Sequence, residues 1–424
     1  MKRVLLVAYY FPPQPRAGAL RLKYLAEHLA EFGWQPTVLT VDYPGDPGVP
    51  CRVVRTRQIG LHETAAGSGT TSAAVSIPPR RSPLERFVRE AVKSVVQFPD
   101  PMVGWLPGAW AKAHELDREE RYDAVISSSP QPSAHIVAWS LAGRSRKPWI
   151  ADYRDLWAGP DGPYFSRKMG RARLAISYAL ERRLLRRAAA ITATSPGHAK
   201  ALAQYFARPD VEMIPNAADP AIWSGMDDSP PARFVLCHTG TFYETFRTPD
   251  VLLRAIARLR SAGRPAGQMA VLEAYGENPH LALVPARQLG IADSVNVFGV
   301  VPREEALRAQ RRAAVLVLLL NTAGELDPIE AENPGSKILE YVGAGRPILA
   351  LGSPDNAMAG FLRDTGLGLY ASDEAGCAEA IEALYERFTS GAFGPLPGKG
   401  WSPPTPSDLA ANFARVLDRV ASKR

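Results

Sequence analysis

Apolar residues come in short continuous runs along this chain. Most runs are followed by a stretch in which apolar positions recur every three or four residues. A run of four to eight apolar residues reads as a buried strand, and the recurring pattern as a helix face. Residues 4–8 predict a first strand. A Pro/Gly loop over 12–18 follows, and then Leu22, Leu25, Ala26 and Leu29 mark a helix that Gly33 stops. A second strand is predicted over 37–41, with further strands at 124–128, 148–152, 188–193 and 211–214. Residues 225–231 read as a linker from their Gly, Asp and Pro content. The alternation then restarts, with a helix at 248–262 and strands at 234–237, 270–275, 295–298, 314–320 and 347–351. A last helix is predicted over 407–419, after a Pro-rich stretch.

Strands that alternate with helices predict parallel sheets with right-handed crossovers. The fold class is therefore α/β, with two doubly wound, Rossmann-like domains. The expected bounds are 1–222 and 232–396, with a tail at 397–424 whose helix crosses back to the first domain. Open α/β sheets bind ligands at the carboxyl ends of their strands. Two such domains facing a cleft would turn both sets of strand-end loops toward it.

Composition narrows the class. The 424 residues, 46% hydrophobic and 22% charged, are those of a globular protein of two or three domains. The longest clean apolar run, 313–320, is far short of the roughly 20 residues that span a bilayer. Met1-Lys2-Arg3 and the apolar residues after it resemble a signal peptide, but Pro12-Pro13 ends the run with no small-residue cleavage site. Cys51, Cys237 and Cys377 are odd in number and form no C-x-x-C pair, which points to a reducing cytoplasm and offers no zinc site. The net charge of +7 suits an anionic partner. Much of it sits in 167–187, either a solvated helix face or a patch for anionic lipid on the inner membrane face.

The most informative segment is Glu332-Asn333-Pro334-Gly335-Ser336-Lys337-Ile338-Leu339-Glu340, followed by Gly343-Ala344-Gly345-Arg346-Pro347. Pro334 suits the first turn of a helix. The free N–H groups of Gly335, Ser336 and Lys337 and the Lys337 cation would then form a site for an anion. Glu332 and Glu340 flank it, and carboxylates beside a phosphate site suit sugar hydroxyls. This segment resembles the donor-sugar motif of the retaining GT-B glycosyltransferases of family 4 type. Tyr10 to Gly18-Ala19 and Arg21, Ser128-Ser129-Pro130 with His135, residues 151–157, Ile214 to Asp219, His238 to Tyr243, and Val297 to Val301 extend the resemblance over nearly the whole chain.

The resemblance implies a glycosyltransferase that moves a sugar from a nucleotide-diphosphate donor (UDP-, GDP- or dTDP-linked) to a saccharide, lipid-linked or small-molecule acceptor, with retention and without a metal or other cofactor. Glu340 would hold ribose hydroxyls, and Glu332 would lie against the transferred sugar. Gly335, Ser336 and Lys337 would take the diphosphate, and Val300-Val301 would meet the base. Gly18 would approach the phosphates from the acceptor side. The strand-end loop of the family carries an Arg and a Lys before a Gly. Here residues 240–247, beginning at Gly240, hold only Arg247 as a cation. No D-x-D metal handle is present, so Lys337, Arg247 and the helix dipole would stabilise the leaving group. His135 is either a core histidine or a sugar contact, and Arg154 and Asp155 are either a structural pair or acceptor-side residues. A nucleotide-sugar epimerase or a non-glycosidic coupling enzyme would share the fold. Nucleic-acid binding finds no recognition motif, and a dinucleotide oxidoreductase would need a G-x-G-x-x-G that the first loop lacks.

Overall fold

The computed structural model describes residues 1–14, 18–59, 96–158, 171–244, 247–320, 337–354, 356–396, 398 and 400–422. The chain forms two compact units, one of Met1–Pro215 with Pro406–Arg424, the other of Asn216–Thr405. The strands of the first are β1 (Lys2–Val7), β2 (Trp34–Val41), β3 (Arg52–Thr56), β4 (Ala124–Ser128), β5 (Trp149–Tyr153), β6 (Ala190–Ala193) and β7 (Val211–Met213). Its helices are α1 (Ala19–His28), α2 (Leu106–Glu120), α3 (Pro132–Arg144), α4 (Arg171–Leu185) and α5 (Pro196–Phe206). The sheet order is β3-β2-β1-β4-β5-β6-β7, parallel throughout.

The second unit contains α6 (Asp250–Ser261), α7 (Pro265–Met269), α8 (His280–Gln288), α9 (Arg303–Arg312), α10 (Lys337–Ala344), α11 (Ala357–Thr365) and α12 (Glu374–Thr389). Its strands are β8 (Val235–Thr239), β9 (Val271–Tyr275), β10 (Val295–Gly299), β11 (Val315–Leu319), β12 (Ile348–Leu351) and β13 (Gly368–Ala371), in the parallel order β10-β9-β8-β11-β12-β13. Both sheets thus have the doubly wound order in which the direction of strand addition reverses beside the first strand. That puts a crevice at the carboxyl ends of β1 and β4, and another at those of β8 and β11.

Continuous apolar strands follow from a sheet covered on both faces. In the second unit Leu236, Val315, Val317, Leu349 and Leu351 enter one buried cluster with Leu252, Ile256 and Ile381. Their neighbours Cys237, Leu316, Leu318, Ile348 and Ala350 enter the other, with Tyr341, Met358 and Leu362. Trp223 belongs to this second cluster, and 216–222, expected in the first domain, lie with it in the second unit.

The last helix, α13 (Pro406–Ala421), belongs to the first unit. Leu409, Phe413, Leu417 and Val420 recur at helical spacing and are buried, each contributing roughly 1.5–3 kcal/mol of apolar burial. Asp418 on its far end accepts from Lys2 Nζ at 2.8 Å and from Trp34 Nε1 at 3.1 Å. No described helix is long and apolar enough to cross a membrane.

Candidate functional site

In the first unit a buried polar network underlies the strand ends. Asp152, the fourth residue of β5, is wholly buried. Its carboxylate accepts from Arg21 Nε at 3.0 Å and Nη2 at 2.9 Å, from Ser128 Oγ at 2.8 Å and from Thr192 Oγ1 at 2.8 Å. Arg21 also donates to the carbonyls of Ile214 and Pro215, at 2.9 and 3.0 Å, and stacks over the Phe413 ring. Burial alone would raise the Asp152 pKa, but the Arg21 charge and the donated hydrogen bonds outweigh it and hold the carboxyl below its ordinary value. One pair therefore ties α1, β4, β5, β6, the end of β7 and α13.

Above this network Ser129 organises the next loop. Its Oγ accepts from the backbone N–H of Arg154 at 2.9 Å and of Asp155 at 3.2 Å, and its carbonyl accepts from Arg154 Nε at 2.6 Å. A side-chain carbon on Gly18 would stand 1.9 Å from Arg154 Nη1. Gly18 and Arg154 thus meet, while the Asp155 side chain is exposed.

His135 lies elsewhere. It is 1% exposed, its Nδ1 lies 2.7 Å from Ser127 Oγ, and its ring lies against Tyr153 and Trp149. Burial lowers its pKa to about 4, so the ring is neutral. The structure places it in the interior of the first unit, apart from the Gly18–Arg154 surface.

Glu181 on α4 is also fully buried. It accepts from Tyr153 OH at 2.8 Å and from the Ala158 N–H at 3.0 Å, yet burial pushes its pKa up to about 8. The folded chain then keeps a proton that the unfolded chain releases above 4.5. Stability present below pH 4.5 should be lost as pH rises to about 8, at about 1.4 kcal/mol per unit. In paired urea melts at pH 5 to 8, Glu181→Gln should gain on the parent as pH rises. A constant difference between the two across that range would contradict the assignment.

The crevice of the second unit is opened by two strands that part. β8 and β11 pair only at Val315↔Leu236 and Leu316↔Cys237. Beyond that point side chains take over the ladder. Tyr341 OH accepts from the Thr239 N–H at 3.0 Å, and His238 Nδ1 lies 3.0 Å from the Val317 carbonyl. Gln310, wholly buried on α9, donates from Nε2 both to Thr239 Oγ1 at 2.9 Å and to Glu340 Oε1 at 2.7 Å. Lys337 Nζ lies 2.9 Å from the same Glu340 oxygen, an i,i+3 pair on one face of α10, and Arg303 Nη2 lies 3.3 Å from Oε2. Burial would raise the Glu340 pKa, but Lys337, Gln310 and Arg303 together hold it below its ordinary value. With two donors on Oε1 and one on Oε2, the ionised carboxylate keeps a lone pair on Oε2 for a hydroxyl.

The neighbouring strand ends interlock. Gly240 N–H donates to the Tyr275 carbonyl at 2.8 Å, and Gly276 N–H to the Gly299 carbonyl at 2.7 Å. Gly276 has φ +151°, and a side-chain carbon there would stand 1.9 Å from the Gly240 carbonyl oxygen. The clash is with backbone, so Gly276→Ala should cost on the order of 3 kcal/mol. Urea unfolding reads this directly, and a loss below about 1 kcal/mol would contradict the packing. Beyond Gly299, Val300 is 74% exposed and Val301 half-buried, beside Phe298 stacked on Tyr275 at 4.5 Å. Arg247 is exposed, and its carbonyl accepts from the Tyr243 N–H.

Glu332, Gly335 and Ser336 lie outside the described residues. Among the other expected residues, the structure joins Lys337 to Glu340 and brings Gly240 beside them through Thr239 and Gln310. Gln310, Tyr341 and Asp152 carry these arrangements and were not singled out from the sequence. A polar residue on an otherwise apolar helix face, as Gln310 is beside Leu307, was the available signal. Arg346 of the Gly-x-Gly-Arg-Pro run is buried and structural, donating to the carbonyls of Arg311 and Ser229.

Two family models match this chain in succession. The glycosyl transferase 4-like domain matches residues 17–217, and glycosyl transferases group 1 matches residues 233–387. The chain is a glycosyltransferase of group 1/family 4 type, with a 4-like first domain and a group 1 second domain. The glycosyltransferase resembles solved structures of the GT-B fold over its full length. Sucrose-phosphate synthase from Thermosynechococcus elongatus is 16% identical with a TM-score of 0.58, covering 100% of this chain and 97% of the other. Anabaena HepE in complex with UDP-glucose is 15% identical with a TM-score of 0.56, covering 100% and 99%. WaaG, involved in lipopolysaccharide biosynthesis, is 13% identical with a TM-score of 0.53, covering 100% and 96%. At these identities the likeness speaks to the fold. No curated protein sequence matches the chain.

Proposed function

We propose that this glycosyltransferase takes its sugar from a nucleoside-diphosphate donor and passes it to a saccharide or lipid-linked acceptor, with retention at the anomeric carbon and without a divalent metal. The observation that carries the reading is the crevice beside β8, where Lys337 and Gln310 converge on Glu340 and Gln310 also reaches Thr239, the residue before Gly240. Lys337 has donors left after its bond to Glu340, and these suit phosphate oxygens. The free lone pair of Glu340 suits a ribose hydroxyl, and the Val300-Val301 backbone a base. HepE, solved with UDP and with UDP-glucose, supports the same donor class. Lys337 and Arg247 would stabilise the leaving diphosphate, so that the charge developing there meets protein cations. The acceptor would meet the first unit around Gly18, Arg154 and Asp155. Exposed Arg182, Arg183 and Arg186, with Ile176 at 58% exposure, form the surface that would rest on anionic lipid.

Incubation with isotopically labelled UDP-, GDP- and dTDP-sugars tests this. Transfer to an acceptor with the donor's anomeric configuration, unchanged by a chelator, is expected. Isomerised donor without transfer, an inverted product, or loss of activity on chelation would each overturn the corresponding part.

A further inference from the structure

His238 sits at the base of the β8–β11 crevice and is 6% exposed. Its Nδ1 is 3.0 Å from the Val317 carbonyl. A carbonyl only accepts, so Nδ1 carries the proton, and the neutral imidazole presents Nε2 as a bare acceptor. Nε2 is buried and has no hydrogen-bond partner among the described residues. A side-chain carbon on Gly240 would stand 3.2 Å from it, so Nε2 faces the turn that ends β8. The ring is held in place by Phe242, stacked at 4.9 Å and 16°. A buried, unpaired acceptor at a strand-end crevice calls for an explanation beyond packing.

Among the described residues, the charges that act on it are those of Lys337 and Arg247. Burial, and after it Lys337 on α10 and Arg247 beyond the β8 turn, push the imidazole pKa down to about 4, against the bond to Val317 that favours the charged form. Tyr341, also on α10, shares the Val317 carbonyl at 3.3 Å. Glu340 is engaged by Lys337, Gln310 and Arg303. Cys237, next on β8, points into the opposite cluster. Phosphate oxygens accept hydrogen bonds and cannot satisfy a bare acceptor. A phosphate entering the crevice does, however, reverse the electrostatic balance, because the two cations then face an anion.

We propose that His238 takes up one proton from solvent when a nucleoside diphosphate enters this crevice, and that the imidazolium Nε2–H then donates to a phosphate oxygen. This rests on the donor assignment under Proposed function and deepens it. The uptake supplies a third positive group beside Lys337 and Arg247 only while the anion is bound. It also gives the buried Nε2 a hydrogen-bond partner.

Titration calorimetry of the full chain with UDP, GDP and dTDP at pH 7.5, in buffers of different ionisation enthalpy, reads the proton count. Above pH 7 the free diphosphate is almost fully ionised, so its own titration adds little. Net uptake approaching one proton per site is expected, with affinity rising toward tenfold per unit as pH falls from 8.5 to 7. His238→Gln retains a donor for Val317 but cannot gain the charge. It should bind more weakly, with no uptake and a flat pH profile. Should that variant fail to fold, imidazole nitrogen NMR of the parent chain decides, by the appearance of an Nε2-bound proton on addition of ligand. Binding without proton uptake, or an unchanged count in His238→Gln, overturns the proposal and leaves the donor assignment standing. No binding of any of the three diphosphates overturns both.

Discussion

Asp152→Ala should lower the stability of the first unit by about 3–5 kcal/mol, the largest loss expected from any single substitution described above. The carboxylate is fully buried and accepts from Arg21, Ser128 and Thr192. Its removal takes from the Arg21 guanidinium, 3% exposed, the buried carboxylate it is paired with. Two hydroxyls lose their acceptor as well. Folded-state ionisation of Asp152 also makes the pair acid-sensitive. Its pKa lies below 3.8 in the folded chain, so the stability it confers is present above 3.8 and is lost as pH falls through the folded value. Chemical denaturation of parent and variant at pH 7 measures the cost. A difference below about 1 kcal/mol would show that the pair is not the tie between α1, β5 and β6 described here. Replacing both partners by apolar residues of similar size should cost less than removing one, since no charge is then left buried.

Glu340→Ala should reduce kcat/KM by roughly 100- to 1000-fold, or about 3–4 kcal/mol of transition-state stabilisation, with only a small shift in Tm. The substitution removes the proposed ribose acceptor. It also releases Lys337 Nζ and Gln310 Nε2, which both converge on Glu340 Oε1. Lys337→Ala should show a comparable loss, because it removes the proposed diphosphate cation and one restraint on Glu340. The two effects should not add, since the residues share one contact. Steady-state kinetics with a turned-over donor, alongside thermal melts, separate a lost ligand contact from a lost fold. Unchanged turnover in either variant would remove the crevice from the reaction.

The central strands of both sheets were legible because they are buried on both faces and read as continuous apolar runs. Residues 124–128 are an instance, predicted and found as β4. Of the four edge strands, β7 and β10 were predicted, at 211–214 and 295–298, while β3 and β13 were not legible. β3, Arg52-Val53-Val54-Arg55-Thr56, pairs only with β2 and carries charge at two positions, so its pattern resembles a loop. β13 pairs only with β12 and begins at a glycine. α2 was hidden because Pro107 and Gly108 punctuate its first turn. At the site, Lys337 and Glu340 could be found from spacing within one helix. Gln310 and Thr239 could not, since they come from two other elements and meet this helix only through the sheet order. His135 shows the same limit. A histidine after a strand-end loop has one sequence signature whether it faces ligand or core, and the Ser127, Trp149 and Tyr153 contacts that place it inside come from other strands.

The most direct test is a crystal of the protein soaked with a nucleoside diphosphate. The expected density has phosphates over the Gly240 turn, within reach of Lys337 Nζ, and a ribose hydroxyl on Glu340 Oε2. Well-ordered nucleotide bound elsewhere, with the β8–β11 crevice empty, would contradict the account.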